Sequence, residues 1–205
     1  MSMPVATYKC SACDLSRWSS GTWGYRYYLH GESKLQMHVV MGWCKTCNDL
    51  QAIEVLPDAE GELKLKIKLE ALQAELAKVL AATPPAKSWW PFRAKKISSQ
   101  ANLEYEIRAA EEQIMEYRLC RTALSTRTGK PRCLRCESED CIALPEHAVD
   151  YFAAEDVPVP IGFMHPGCGG QLTVAYEGTR LSVQLTEKAY DLEGHLLDEV
   201  KPRSS

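Results

Sequence analysis

Four pairs of metal-binding residue types, each with two residues between its members, constrain this chain more than anything else in it. They are Cys10/Cys13, Cys44/Cys47, Cys133/Cys136 and His165/Cys168. Two ligands three apart can share one tight turn, so that both donor atoms reach the same ion. Two such turns complete a tetrahedron. A fold built this way is anchored by metal as well as by apolar burial. That suits short segments whose own core is too small to hold them.

The chain has 205 residues and nine cysteines. No stretch approaches the roughly 18 consecutive apolar residues of a membrane span. The opening "MSMPVATYKCSACD" lacks the basic run and apolar core of a secretory signal. A cytoplasmic location is therefore expected, where paired cysteines hold metal more often than they form disulfides. The net charge of −3 argues against a nucleic-acid binder that uses its whole surface.

The spacing suggests grouping neighbours in sequence. Cys10, Cys13, Cys44 and Cys47 would form one site, and Cys133, Cys136, His165 and Cys168 the other. Cys141 is a rival to His165 as the last ligand. Both sites would be closed by four protein donors, with no open position for a catalytic water. Two zinc ions per chain are expected, in structural roles. Metal binding would be coupled to folding, because the metal keeps the thiolates deprotonated. The two glycines after Cys168 suit a turn that needs positive φ. Cys120 falls in a helical pattern and reads as a core thiol. His30, His38, His147 and His195 have no partner at ligand spacing.

The phrases "YKCSAC…GWCKTCNDLQAIEV" and "PRCLRC…FMHPGCGGQLTVAY" resemble the zinc-ribbon superfamily. "HPGCGGQL" is similar to the second knuckle of a ribbon, with His in the first ligand place. The resemblance covers about residues 5–56 and 130–186. It implies two small antiparallel β modules, each around one zinc, and leaves function open, since ribbons serve in transcription factors, enzymes and adaptors. The first module lacks glycine after either knuckle. The spacing of its four cysteines also resembles rubredoxin, an iron electron carrier.

Residues 57–126 differ in composition. Leu65, Leu69, Leu72, Leu76 and Val79 step by fours and threes, as do Leu103, Ile107, Ala110, Ile114 and Tyr117. That is the seam of paired helices. The first turns, "ELKLKIKL", also alternate like a strand. Ser98 or Ser99 is placed to cap the second helix, and Gly129–Pro131 to stop the chain beyond it. The connector carries Trp89, Trp90, Phe92, Arg93, Lys95 and Lys96 among three prolines, which exclude helix there. Residues 83–97 hold four bases and no acid. Exposed aromatics beside bases can anchor in a protein groove, an anionic membrane surface or a nucleic-acid backbone. They can also fold back and cap the hairpin.

The expected architecture is α+β: an N-terminal ribbon at 1–56, an antiparallel coiled-coil hairpin at 57–126 with its tip at 83–97, and a C-terminal ribbon with a short tail at 127–205. No Gly-rich phosphate loop, nucleophile elbow or catalytic carboxylate pair is present. The expected function is a non-enzymatic zinc-binding adaptor that contacts a protein partner through the hairpin tip and ribbon surfaces. The first alternative is a nucleic-acid-binding protein. It would use Trp18, Trp23, Tyr25, Tyr27, Tyr28 and Trp43 with the bases of 127–135, although such aromatics more often fill a ribbon core and such a basic stretch more often forms a solvated surface. A rubredoxin-like iron carrier is the second.

Overall fold

A computed structural model describes residues 2–82, 92–147, 149, 157–183 and 185–200. The chain divides into two units. Residues 1–56 and 127–205 make the first, and Pro57–Thr126 the second.

The first unit is built of strands. β1 (Ser2–Cys10) and β2 (Ser16–Trp18) are followed by a short 3-10 turn at Ser19–Thr22. Then come β3 (Tyr25–His30), β4 (Ser33–Gln36), β5 (His38–Cys44) and β6 (Asp49–Val55). After the helical unit the chain adds β7 (Cys141–Ala143), β8 (Val159–Met164), β9 (Gln171–Ser182), β10 (Glu187–Tyr190) and β11 (Leu196–Val200). They form three sheets, in the orders β2-β1-β9-β8, β11-β10-β3-β4 and β6-β5-β7.

Each sheet therefore mixes strands from the two ends of the sequence. β1 runs antiparallel to β9, with Cys10 opposite Leu172 and Ser2 opposite Ser182. β10 lies parallel to β3, and β7 pairs with β5. This overturns the expectation of two self-contained ribbons joined by a coiled-coil hairpin. The arrangement is a mostly β α+β fold. A lone ribbon buries little apolar surface. Interleaving lets one core serve both ends. Ala6, Tyr8, Met41, Trp43 and Leu50 from the first end pack with Leu144, Ile161, Leu172 and Val174 from the second.

One ionic element is sealed inside this unit. The carboxylate of Glu54, on β6, accepts two hydrogen bonds from the guanidinium of Arg127 at 2.6 and 2.7 Å. It also accepts the backbone N–H of Arg132 at 3.0 Å and the hydroxyl of Tyr28. Both side chains of the ion pair are essentially inaccessible to water. From sequence alone the bases of 127–135, Arg127 among them, read as a solvated stretch. Burial beside Glu54 corrects that for this residue.

The second unit contains α1 (Ala59–Ala81) and α2 (Phe92–Ala123). Asp58 caps α1, its side chain accepting the N–H of Gly61 at 2.7 Å. Glu60 and Glu62 in the first turn face the positive end of the helix dipole. "ELKLKIKL" is helical throughout, its alternation overridden by the longer helical repeat. Leu65, Leu69, Leu72, Leu76 and Val79 are half-buried, as are Ile107 and Tyr117. Leu103, Ala110 and Ile114 are buried, and Cys120 and Leu124 extend the same stripe. Glu62 joins the helices, pairing with Arg118 and Arg121 of α2 at 2.7 Å each and with Lys66 at 2.8 Å. These cations hold its carboxyl down at about 2, Lys66 and Arg118 most strongly. Tyr117 accepts the N–H of Asp58 at 3.1 Å. A β-carbon at Gly61 would come within 2.0 Å of the same hydroxyl, so the close approach requires glycine there.

The second helix starts at Phe92, earlier than the Ser98 or Ser99 start expected from capping. Arg93, Lys95 and Lys96 thus lie on helical backbone. Trp89 and Trp90 lie outside the described residues. Among the described residues, no helix is long and apolar enough to cross a membrane.

Candidate metal centres

All eight predicted ligands assemble, but in a different pairing. Cys10, Cys13, His165 and Cys168 form one group; Cys44, Cys47, Cys133 and Cys136 form the other. The donor atoms of each group lie within 4.8 Å of one another. The first knuckle thus meets the fourth, and the second meets the third. The set Cys10/Cys13/Cys44/Cys47, on which the rubredoxin comparison rested, is not assembled. Sequence spacing could not reveal this, because the pairing follows from β1 lying on β9 and β7 on β5. These contacts are fixed by tertiary packing.

In the Cys3His group, Cys10 ends β1 and Cys13 lies in the following turn. His165 and Cys168 lie in the turn between β8 and β9. The Sγ atoms of Cys10 and Cys168 are 3.4 Å apart. Nδ1 of His165 lies 3.3 Å from Sγ of Cys13 and 3.1 Å from Sγ of Cys168. In the four-cysteine group, Cys44 and Cys136 stand at 3.5 Å and Cys47 and Cys133 at 3.9 Å. A zinc–sulfur bond of about 2.3 Å in a tetrahedron places sulfurs about 3.8 Å apart. The donor sets and their separations fit a tetrahedral thiophilic ion, and both groups could hold a metal.

The turns themselves explain the residues around the ligands. The position after the second ligand takes a left-handed conformation in three of the four knuckles: Asn48 (φ 50°), Glu137 (φ 60°) and Gly169 (φ 71°). Asparagine tolerates that region well, so Asn48 occupies the place that glycine fills in the last knuckle. Glu137 is held there by side-chain contacts. Its carboxylate accepts from Nδ1 of His195 at 2.8 Å and from the N–H of Leu196 at 3.2 Å. Gly170 has another role. A β-carbon on it would lie 2.5 Å from Sγ of Cys10 and 2.7 Å from Cβ of Ala12. The second glycine of "CGGQL" is thus required by the approach of the first knuckle.

Each centre holds thiols shifted in both directions: Cys168 is raised while Cys10 falls, and Cys136 is lowered while Cys133 and Cys47 rise. The N–H of Ala12, aided by the neighbouring Cys168, His165 and Cys13, brings the Cys10 thiol down to about 6 against the opposing effect of burial. Burial pushes Cys133 up to about 11 and raises Cys47 further. A metal entering the four-cysteine group must displace the protons of the raised Cys47 and Cys133 thiols, so its loading depends on pH.

The two centres flank one strand. Cys44, the last residue of β5, is a ligand of the four-cysteine group. The preceding Trp43, fully buried, packs its indole edge-on to the ring of His165, with centroids 4.7 Å apart at 63°. Successive side chains of a strand point to opposite faces. β5 therefore serves one centre with each face. No sequence pattern signalled Trp43 as a support for His165.

Cys141 donates its thiol to the carbonyl of Pro131 at 3.3 Å and belongs to neither group, so it does not replace His165. Cys120 is buried in the helical unit. His147 bonds to the hydroxyl of Tyr8 at 3.0 Å, and His195 to Glu137. Of the aromatic set, Trp43 and Tyr28 are buried, while Trp18 and Tyr25 are exposed.

Comparison with protein-family models, with curated proteins and with solved structures returns no match. The resemblance to zinc ribbons thus rests on the knuckle motifs alone.

Proposed function

We propose that this is a non-enzymatic zinc-binding interaction protein, with zinc in both centres and a protein partner bound through the helical hairpin. One observation carries the partner reading. Large apolar side chains remain uncovered outside the helix seam: Leu63 and Ile67 on α1, and Met115 and Leu119 on α2 are all more than half exposed. Each pair is four residues apart and so lies on one face of its helix. A face of this kind marks an interaction surface. The closed four-donor sets support structural over catalytic metal, since a hydrolytic zinc keeps one position open.

The test is site-specific photo-cross-linking in cells. Benzoylphenylalanine placed at Met115, or at Trp90 in the expected tip, should give one discrete adduct. The same probe at Lys9, in the β unit, should not. The adduct should disappear when Ile67 and Leu119 are both replaced by Ser. Equal labelling from all positions, or none from the hairpin, would refute the partner reading. Elemental analysis showing iron would refute the zinc assignment.

A further inference from the structure

An open cleft of about 840 Å³ lies in the β unit, with no metal ligand among its lining residues. Its walls combine the residues that follow one knuckle with those inside another. Arg17 and Trp18 come from β2, after Cys13. Leu134 and Arg135 lie between Cys133 and Cys136. Arg26, Lys188 and Tyr190 complete the polar lining. This volume is in the range of small-ligand sites.

Two features give the cleft a ligand preference. First, it is cationic: Arg17, Arg26, Arg135 and Lys188 line it, against Asp49 as the one carboxylate. Arg17 is paired with Asp49 at 2.8 Å, and Lys188 with Glu199 at 3.2 Å. Arg26 is committed to the carbonyls of Thr22 and Gly21. The guanidinium of Arg135 is exposed and has no partner among the described residues. A guanidinium fork matches a phosphate well. Second, Trp18 lines the cleft with 48% of its surface exposed, on a chain whose other described strand tryptophan is buried.

We infer that the cleft binds a nucleotide unit, with its phosphate at Arg135 and its base stacked on Trp18. A flat ring accounts for the exposed indole, and an anion for the cations around it. Base–aromatic stacking contributes about 1–3 kcal/mol per base. The unit could come from a free nucleotide or from a single strand, which share this chemistry. The inference is independent of the hairpin reading above.

The test uses the full-length, zinc-loaded protein and three probes: AMP, a ten-nucleotide oligothymidylate and inorganic phosphate. Trp18→Ala and Arg135→Glu are compared with Lys68→Glu, a charge change on the helical unit. Metal content is measured on every sample, so that a folding failure is recognised. Saturable nucleotide binding should weaken about tenfold or more in Trp18→Ala and in Arg135→Glu, and stay unchanged in Lys68→Glu. Oligonucleotide binding tighter than AMP, with a steep salt dependence, assigns the strand. AMP binding as tightly assigns the free nucleotide. The inference is overturned by any of three results: no saturable binding of AMP or the oligonucleotide, phosphate bound as tightly as both, or loss in neither cleft variant.

Discussion

The interleaved pairing of the knuckles makes opposite predictions from sequential pairing for the same two double variants. Cys13→Ser/His165→Ala removes two ligands from one centre. Cys13→Ser/Cys47→Ser removes one ligand from each. Metal cross-links stabilise partly by closing loops in the unfolded chain. Treated like a disulfide, the Cys13–His165 link across 152 residues is worth about 5 kcal/mol. The Cys47–Cys133 link across 86 residues is worth about 4.5 kcal/mol on the same basis. With the inner link closed, the outer loop shortens and its share falls to about 4.4 kcal/mol. Loss of one centre should therefore remove about 4–5 kcal/mol, and loss of both about 9 kcal/mol. The larger figure matches the whole stability of a typical domain, about 5–15 kcal/mol. So Cys13→Ser/His165→Ala should retain one metal per chain and a folded four-cysteine centre. Cys13→Ser/Cys47→Ser should retain none and lose the β unit, while keeping its helical circular dichroism. Elemental analysis gives the stoichiometry, and limited proteolysis with mass mapping gives the unfolded segment. Gly170→Ala is an orthogonal check. Crowding Cys10 should weaken the Cys3His centre about tenfold or more, whereas sequential pairing leaves that glycine far from Cys10. Zero metal in the first double variant together with one in the second would refute the interleaved arrangement.

Two further outcomes test the packing. Glu54→Leu should destabilise the β unit by about 3–5 kcal/mol, because Arg127 is left charged and buried. The double variant Glu54→Leu/Arg127→Met should recover much of this loss; urea unfolding of zinc-loaded protein showing a single-variant cost under about 1 kcal/mol would contradict the buried pair. Glu62 has its carboxyl held down at about 2 by Lys66, Arg118 and Arg121. Its contribution is complete above the ordinary carboxylate range and is lost as pH falls toward 2. Glu62→Gln should thus lower the thermal midpoint of the helical signal at pH 7, with the difference from wild type closing between about pH 4.5 and pH 2. A difference that stays constant over that window would show that the ion pairs contribute nothing.

What the sequence determined by itself was local. Ligand identity was legible because two donors on one turn need a fixed short spacing. The helices were legible because Leu65 to Val79 and Leu103 to Tyr117 repeat with the period of a helix face. Both signals act over a few residues and survive in any tertiary context. The partnering of the knuckles was decided elsewhere. β1 meets β9 across most of the chain, through backbone hydrogen bonds that every residue type can make, so the pairing leaves no short-range pattern. Gly170 was the one local trace of it. Its requirement came from Cys10 approaching its backbone, and only the assembled sheet shows that. Arg127 behaved likewise. Among the bases of "RTGKPRCLR" it looks like solvated charge. Its burial depends on Glu54 and Tyr28, which lie far away in sequence and reach it only because one core serves both ends of the chain.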